Sequence, residues 1–316
     1  MKKSMEQENI APSFQKNNFM SEKRKNLFFY ISLMIIPVAQ FLIFYIGVNI
    51  RSFAYAFQKI DVAANTVQWS LDNFRNIFER FKTSTLYSEL ISVSLKAYLY
   101  SLLVGVPLGL FFSYYISEKL PASAAFRVLL FVPSIISAVT MVTIYLNFVE
   151  SALPDILGDL FGITHDGFLE NINTRLPSII FYSLFIGFGT AVLMYSNSMS
   201  SIPPEIIEAG KLDGAIGMKK FVYIVLPQIF GTLSTFLIIG VAGIFTNQLN
   251  LFSFYDAGAP DGVKTFGYYL YSNAQQAVNE AEYPYLAALG LLLTAIAVPL
   301  TMLIKWALEK FGFSED

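Results

Sequence analysis

Two uncharged stretches constrain this chain more than anything else in it. Leu27 to Ile50 runs for twenty-four positions without an acidic or basic residue, and Phe221 to Tyr255 runs for thirty-five. The hydrocarbon core of a bilayer is about 30 Å thick and takes about 20 helical residues to cross, so each run is long enough to span it. In lipid the backbone polar groups of such a run must be satisfied inside the segment, which selects a helix. Composition agrees, because 55% hydrophobic residues, 14% charged residues and a mean hydropathy of +0.54 are too apolar for an ordinary soluble domain. A net charge of -2 offers no basic surface for nucleic acid. The absence of Cys excludes disulfides and thiolate metal sites, and one His, His165, cannot form a cluster, so no metal site is expected.

Taken in order, residues 1–26 form a polar, basic tail with Lys2, Lys3, Lys16, Lys23, Arg24 and Lys25. The run Leu27–Ile50 follows as an uncleaved first span, being too long for a signal-peptide core. Arg51 to Glu89 is mixed and predicts an exposed loop with a short amphipathic helix, since Leu71, Phe74, Ile77, Phe78 and Phe81 recur at helical spacing. Leu90–Ser117 is the second span, interrupted by Lys96, and Ser117–Arg127 is a charged turn. Val128–Val149 is the third span, with a bend expected at Pro133, and Glu150–Arg175 is a polar loop. Leu176–Pro204 is the fourth span. The fifth lies within Phe221–Tyr255 and ends before Leu251, with a short re-entrant or surface piece after it. Asp256–Glu282 is a polar loop, Tyr283–Ile304 the sixth span, and Lys305–Asp316 a tail. With the N-terminus inside, the inner segments hold thirteen Lys and Arg against eight outside. That sign fits cytoplasmic N- and C-termini. The fold class expected is all-α, a polytopic membrane protein with six spans in contact with lipid.

Between the fourth and fifth spans lies a charged island, Ser201–Pro227. Pro203 and Pro204 suit a first helical turn, where a backbone donor is unpaired anyway, and Glu205 and Glu208 sit where the helix dipole favours negative charge. Gly214 can take a backbone conformation other residues resist, so the chain turns there. A polar elbow flanked by membrane-grade segments is a surface on which something soluble can dock.

The spacing within the island is specific. Glu208-Ala209-Gly210, then Gly214 after three residues, Ile224 after nine more and Leu226-Pro227 after one resembles the EAA signature of ABC importer permeases, and Asp213-Gly214-Ala215 is similar to the D-G-A of sugar permeases. Gly210 stands where the signature has a second Ala, a change that weakens the helix slightly. Phe126-Arg127 before Phe131-Val132-Pro133, Ser201-Ile202-Pro203, and Phe254-Tyr255-Asp256 with Gly258-Ala259-Pro260 resemble the maltose-type first permease subunit of carbohydrate importers. The likeness runs roughly from Leu90 to Lys310 and, lacking a large inserted outer domain, is closer to the compact oligosaccharide permeases.

This resemblance implies a type I importer permease fold in a bacterial-type plasma membrane. It also implies a second homologous permease, two ATPase subunits and an extracellular substrate-binding protein as partners, and a carbohydrate, most simply an oligosaccharide, as cargo. The coupling helix would comprise Glu205, Glu208, Ala209, Gly210, Asp213, Gly214 and Ala215 within 201–220. The chain has no G-x-x-x-x-G-K-[ST] phosphate loop, so no cofactor of its own is expected and ATP and Mg²⁺ belong to the partner ATPase. No catalytic residue is expected, and the chain is a transport subunit rather than an enzyme.

Polar groups inside spans are candidates for the substrate path. Gly240, Gly243, Asn247 and Asn250 recur at three- and four-residue steps, as on one helix face, with Gln248 beside it. They either line a cavity or glue helices together. Ser137, Thr140 and Asn147 fall together on the third span with Tyr145 near its outer end, and Tyr182 on the fourth either stacks a sugar ring or anchors at the interface. Lys96 either snorkels or faces the pore. Outer loops Asp155–Glu170 and Asp256–Glu282 offer acidic and aromatic surface to a binding protein. Two other functions fit the same spans: an ABC permease for a peptide, amino acid or glycerol phosphate, and an ion-driven secondary transporter, which would prefer buried carboxylates.

Overall fold

The computed structural model describes residues 18–62, 64, 66–163 and 166–312. The basic residues Lys2, Lys3 and Lys16, and His165, lie outside the described residues. The chain divides into two compact units, the first ending at Ala54 and the second running from Tyr55 to Asp316. In the first, the apolar run forms a helix within Glu22–Ala56 whose apolar window has no buried side chain. A helix apolar on every side has to be covered by lipid or by a neighbour.

The second unit is built from helices, with one small hairpin. Thr85–Ser117, Ile172–Ser200 and Glu280–Phe311 are each long and apolar enough to cross a membrane, and two bent pairs bring the possible total for the chain to six spans. The sixth span keeps its helix to Phe311, so the expected tail from Lys305 is helical over most of its length. Gln58–Asp61 and Thr66–Trp69 pair antiparallel, a feature not expected in Arg51–Glu89, and helix Asp72–Thr83 follows. A hydrogen bond from Lys59 holds the Asp72 carboxyl below the ordinary carboxylate range. Helix Asp72–Thr83 seats Phe74, Ile77 and Phe81 on the start of the second span and on Ala288, Leu289 and Leu293 of the sixth.

The third span corrects the expectation of a single helix bent at Pro133. Ser123–Ile135 and Ala138–Phe161 meet at 105°, and the break falls at Ile136 and Ser137, past the proline. Ile136 is extended, and the Ser137 hydroxyl accepts from the Thr140 amide as a new N-cap, which restarts the helix. Helix Leu153–Phe161 also extends into what sequence assigns to a polar loop. The third and fourth spans cross closely at Gly189, where an added Cβ would lie 2.0 Å from the Leu130 carbonyl oxygen. Small residues permit such backbone approach.

The fifth span ends before Leu251 with a short piece after it, as expected, but it is bent and its helix is shorter than the uncharged run allows. Met218–Gln228 and Phe230–Ala242 meet at 71° around Ile229, two residues past Pro227, and the helix stops at Ala242. Pro227 lacks an amide hydrogen and crowds the preceding turn, and a π-type turn at Phe221–Val225 absorbs that misfit. From Gly243 to Asn250 the chain turns, with Leu249 and Asn250 at φ of 51° and 56°. Helices Leu251–Tyr255 and Phe266–Gln276 follow, the second inside the expected polar loop Asp256–Glu282.

Candidate functional site

The island forms an elbow whose geometry follows from its residues. Pro203 is the N-cap of helix Pro204–Leu212, and Asp213 ends it. Gly214 then takes φ +78°, its amide bonds the Lys211 carbonyl at 3.1 Å and the Ala215 amide bonds the Gly210 carbonyl at 2.9 Å. That pair of bonds is a Schellman closure, which satisfies carbonyls left over at the helix end. Gly214 holds the left-handed position, which an L side chain resists by about 1–2 kcal/mol. Gly210 does more than weaken a helix. Ile224 occupies its missing side chain's place, with Cδ1 1.9 Å from where a Cβ would sit. Two motif residues thus pack the elbow's limbs together, and Gly217, at φ 58°, turns the chain into the fifth span.

The elbow's second limb is fixed to the second span. Lys220, whose side chain is 8% exposed, donates to Glu118 at 2.6 Å across 102 sequence positions. The Tyr114 hydroxyl donates to the Gly217 carbonyl at 3.1 Å, and Phe221 packs on Tyr114 and Phe111. Sequence alone did not single out Glu118, Lys220, Tyr114 or Gly217 as a set. The available hint was that Glu118 is the one acid in the Ser117–Arg127 turn.

The first limb is open. Helix Pro204–Leu212 has no buried residue, and among the described residues Glu205, Glu208 and Asp213 have no ion-pair partner. Glu208 and Lys211 edge a cavity of about 370 Å³ with Glu118, Lys119, Lys220 and Pro204. Around the elbow Leu212 is 90% exposed, with Ile216, Met218 and Tyr223 also exposed. The elbow thus presents apolar side chains on a charged surface.

The second candidate region is divided by the early end of the fifth helix. Gly240, Gly243, Asn247 and Asn250 do not share a helix face. Asn247 lies in the turn, exposed, and helps line a cavity of about 230 Å³ with Ser101, Ser183, Phe188, Tyr195 and Phe236. Its Oδ1 accepts from the Leu249 amide at 2.9 Å. The turn is held from outside. Thr265 donates to the Asn247 carbonyl at 2.7 Å and caps Phe266–Gln276, while Gly267 lies so close that a Cβ would be 2.4 Å from the Thr246 oxygen. Thr265 and Gly267 were missed by sequence reasoning, although a Thr before the run Phe266–Tyr271 is a usable N-cap signal.

The remaining candidates scatter. Asn250 is a half-buried αL residue opening Leu251–Tyr255, Gln248 is half-buried in the same turn, and neither lines the Asn247 cavity. Asn147 is exposed and donates to the Thr143 carbonyl. Tyr145 and Tyr182 are buried against one another, 4.9 Å between centroids, with Phe254 completing the cluster. Tyr182, 1% exposed, is a packing residue in this chain rather than an interfacial anchor. Lys96 is exposed.

These features define a polytopic helical membrane protein carrying an exposed elbow and a small, mainly apolar cavity between its spans that Ser101, Ser183 and Asn247 edge with polar groups. The chain belongs to the family described as binding-protein-dependent transport system inner membrane component, matched over residues 105–311. It is 26% identical over 199 residues to the multiple sugar-binding transport system permease protein MsmF of Streptococcus mutans, covering 62% of this chain and 67% of that protein. It is 24% identical over 271 residues to the arabinooligosaccharides transport system permease protein AraP of Bacillus subtilis, covering 84% of each. It is also 24% identical over 318 residues to the polygalacturonan/rhamnogalacturonan transport system permease protein YteP of the same organism, covering 96% of each. Its fold is similar to that of a chain in the crystal structure of a bacterial alginate ABC transporter in complex with an alginate pentasaccharide-bound periplasmic protein. There the TM-score is 0.76 at 19% identity, over 93% of this chain and 98% of that one.

Proposed function

We propose that this chain is one permease subunit of a binding-protein-dependent ABC importer for a carbohydrate, and most simply an oligosaccharide. The observation that carries the proposal is the elbow: a Schellman-closed helix with unpaired Glu205 and Glu208, exposed Leu212 and Ile216, and a second limb locked to the second span through Lys220 and Glu118. A load applied to Pro204–Leu212 is transmitted through Ile224 and Phe221 into the fifth and second spans. Two ATPase subunits on the cytoplasmic side would supply that load, using ATP and Mg²⁺. A second homologous permease would complete the pathway, and a binding protein would deliver substrate from outside, with both termini of this chain cytoplasmic. The named cargoes of the relatives support a carbohydrate, and Asn247 with Ser101 and Ser183 offers hydroxyl-matching groups beside Phe188 and Tyr195. An ion-driven carrier would use a buried carboxylate, whereas among the described residues the one buried charge is Lys220, already paired.

The test is purification of the tagged chain from its membrane and reconstitution of what co-elutes. An ATPase should accompany it, and labelled oligosaccharide should enter proteoliposomes only with ATP and binding protein. Uptake driven by an ion gradient without ATP would overturn the proposal.

A further inference from the structure

Helix Asp72–Thr83 packs Ile77 and the half-buried Phe74 and Phe81 inward, and its opposite face, Asp72, Asn76, Glu79 and Thr83, is polar as ordinary patterning requires. The flank between the two faces is not purely polar. Leu71, Arg75, Phe78 and Lys82 follow one another at four-, three- and four-residue steps, an exposed stripe in which apolar and cationic side chains alternate. Leu71 is 65% exposed and Phe78 55%. The hairpin just before it adds two more exposed apolar side chains, because Val67 and Trp69 lie on one face of their strand, 57% and 72% exposed, with Thr66 and Gln68 on the other. Single exposed apolar residues are ordinary, but this is a run of four that includes an indole.

The position of the stripe says what covers it. Helix Asp72–Thr83 ends one residue before the second span begins at Thr85. Two Cα–Cα steps of about 3.8 Å place the end of that helix within about 8 Å of the spanning helix. The headgroup layer is about 5–7 Å deep on each side of the hydrocarbon core. Indole rings collect at that depth, and Arg and Lys among apolar groups bury their stems there while their charges reach phosphate. The exposed Arg75–Glu79 contact, at 3.4 Å, is too weak to compete with that arrangement. We propose that Val67, Trp69, Leu71 and Phe78 lie in the headgroup and upper acyl layer of the bilayer, with Arg75 and Lys82 on lipid phosphates. The segment between the first two spans is then an interfacial anchor that fixes the depth of the second and sixth spans.

The chain has two tryptophans and no cysteine, which makes the test direct. The full-length Trp306→Phe protein, with Trp69 as its sole indole, is reconstituted into phosphatidylethanolamine and phosphatidylglycerol vesicles. Lipids brominated near the acyl carbonyl should extinguish most of the Trp69 emission, and iodide on both sides should change it little. Strong iodide quenching would place the stripe in water and overturn the proposal. Protection from iodide without quenching by brominated lipid would show a protein over the stripe and overturn it equally. Trp69→Phe keeps Trp306 in a spanning helix as the control for lipid quenching. If Trp306→Phe does not insert, Phe78→Cys carrying an environment-sensitive fluorophore gives the same comparison with the same two quenchers.

Discussion

Gly214 gives the sharpest test of how the elbow works. Its φ is +78°, and a Cβ added there would meet nothing within 4 Å, so a substitution acts first on the backbone. Alanine in the left-handed region costs about 1–2 kcal/mol, of which a part is offset by the lower freedom of the open chain, leaving about 1 kcal/mol. At 1.4 kcal/mol per decade that is about a fivefold shift away from the closed turn. Valine, β-branched and stiffer, should cost about 2 kcal/mol, about thirty-fold, whereas asparagine tolerates this conformation and should stay near glycine. The assay is solute imported per ATP hydrolysed in proteoliposomes, with co-purification of the ATPase as the check on assembly. The complex should still assemble, and coupling should fall in the order Gly, Asn, Ala, Val. Size alone predicts a different order, because asparagine is larger than alanine. If Gly214→Asn couples worse than Gly214→Ala, a partner surface rather than backbone conformation is responsible, and the reasoning fails. Unchanged coupling in Gly214→Val would remove the turn from the mechanism altogether.

Three further outcomes follow from the packing. Glu118→Gln leaves the charge of Lys220 buried, and since Glu118 is itself 33% exposed the cost is about 2 kcal/mol, below the usual 3–5 for a broken buried pair. Lys220→Met removes the buried charge and should cost about half of that, so thermal melting in detergent should rank Glu118→Gln below it, and equal melting would refute the asymmetry. Gly189→Ala drives a Cβ into the Leu130 carbonyl and should cost about 3 kcal/mol or more, whereas Gly210→Ala meets chiefly the Ile224 side chain, whose Cδ1 end can move, and regains about 1 kcal/mol of helix propensity. The yield of monodisperse protein should collapse for the first and hold for the second. Asn247→Asp keeps the acceptor for the Leu249 amide but loses the side-chain amide donors, so melting should be unchanged while uptake falls. Full uptake by Asn247→Asp would take Asn247 out of substrate contact.

Why the elbow could be located from spacing while the cavity could not is a matter of where the determining contacts lie. The Schellman bonds join Gly210 to Ala215 and Lys211 to Gly214, so every partner sits within a few residues and leaves its mark as a pattern. The long helices are equally local, since Ile172–Ser200 and Glu280–Phe311 follow from the length of their apolar runs. The end of the fifth helix is different. Phe221–Tyr255 has no charge to mark a boundary, and the stop after Ala242 is held by Thr265 and Gly267, partners beyond the run itself. A ladder of Gly240, Gly243, Asn247 and Asn250 is therefore the natural inference from periodicity, and tertiary stapling overrides it. The third span behaves likewise: Pro133 is the visible breaker, but the chain turns where Ile136 extends and Ser137 recaps. The ion pair that fixes the elbow to the second span, Glu118 with Lys220, bridges 102 positions and has no sequence signature at all. It follows that the geometry of the elbow, proposed as the docking site, is a property this chain carries by itself. The proposed cargo-contacting surface depends on how distant segments, and in the proposed importer a second permease, come together. Substitutions in 204–224 should therefore act alike whatever sugar is supplied, while those around Asn247 should change which sugar is carried.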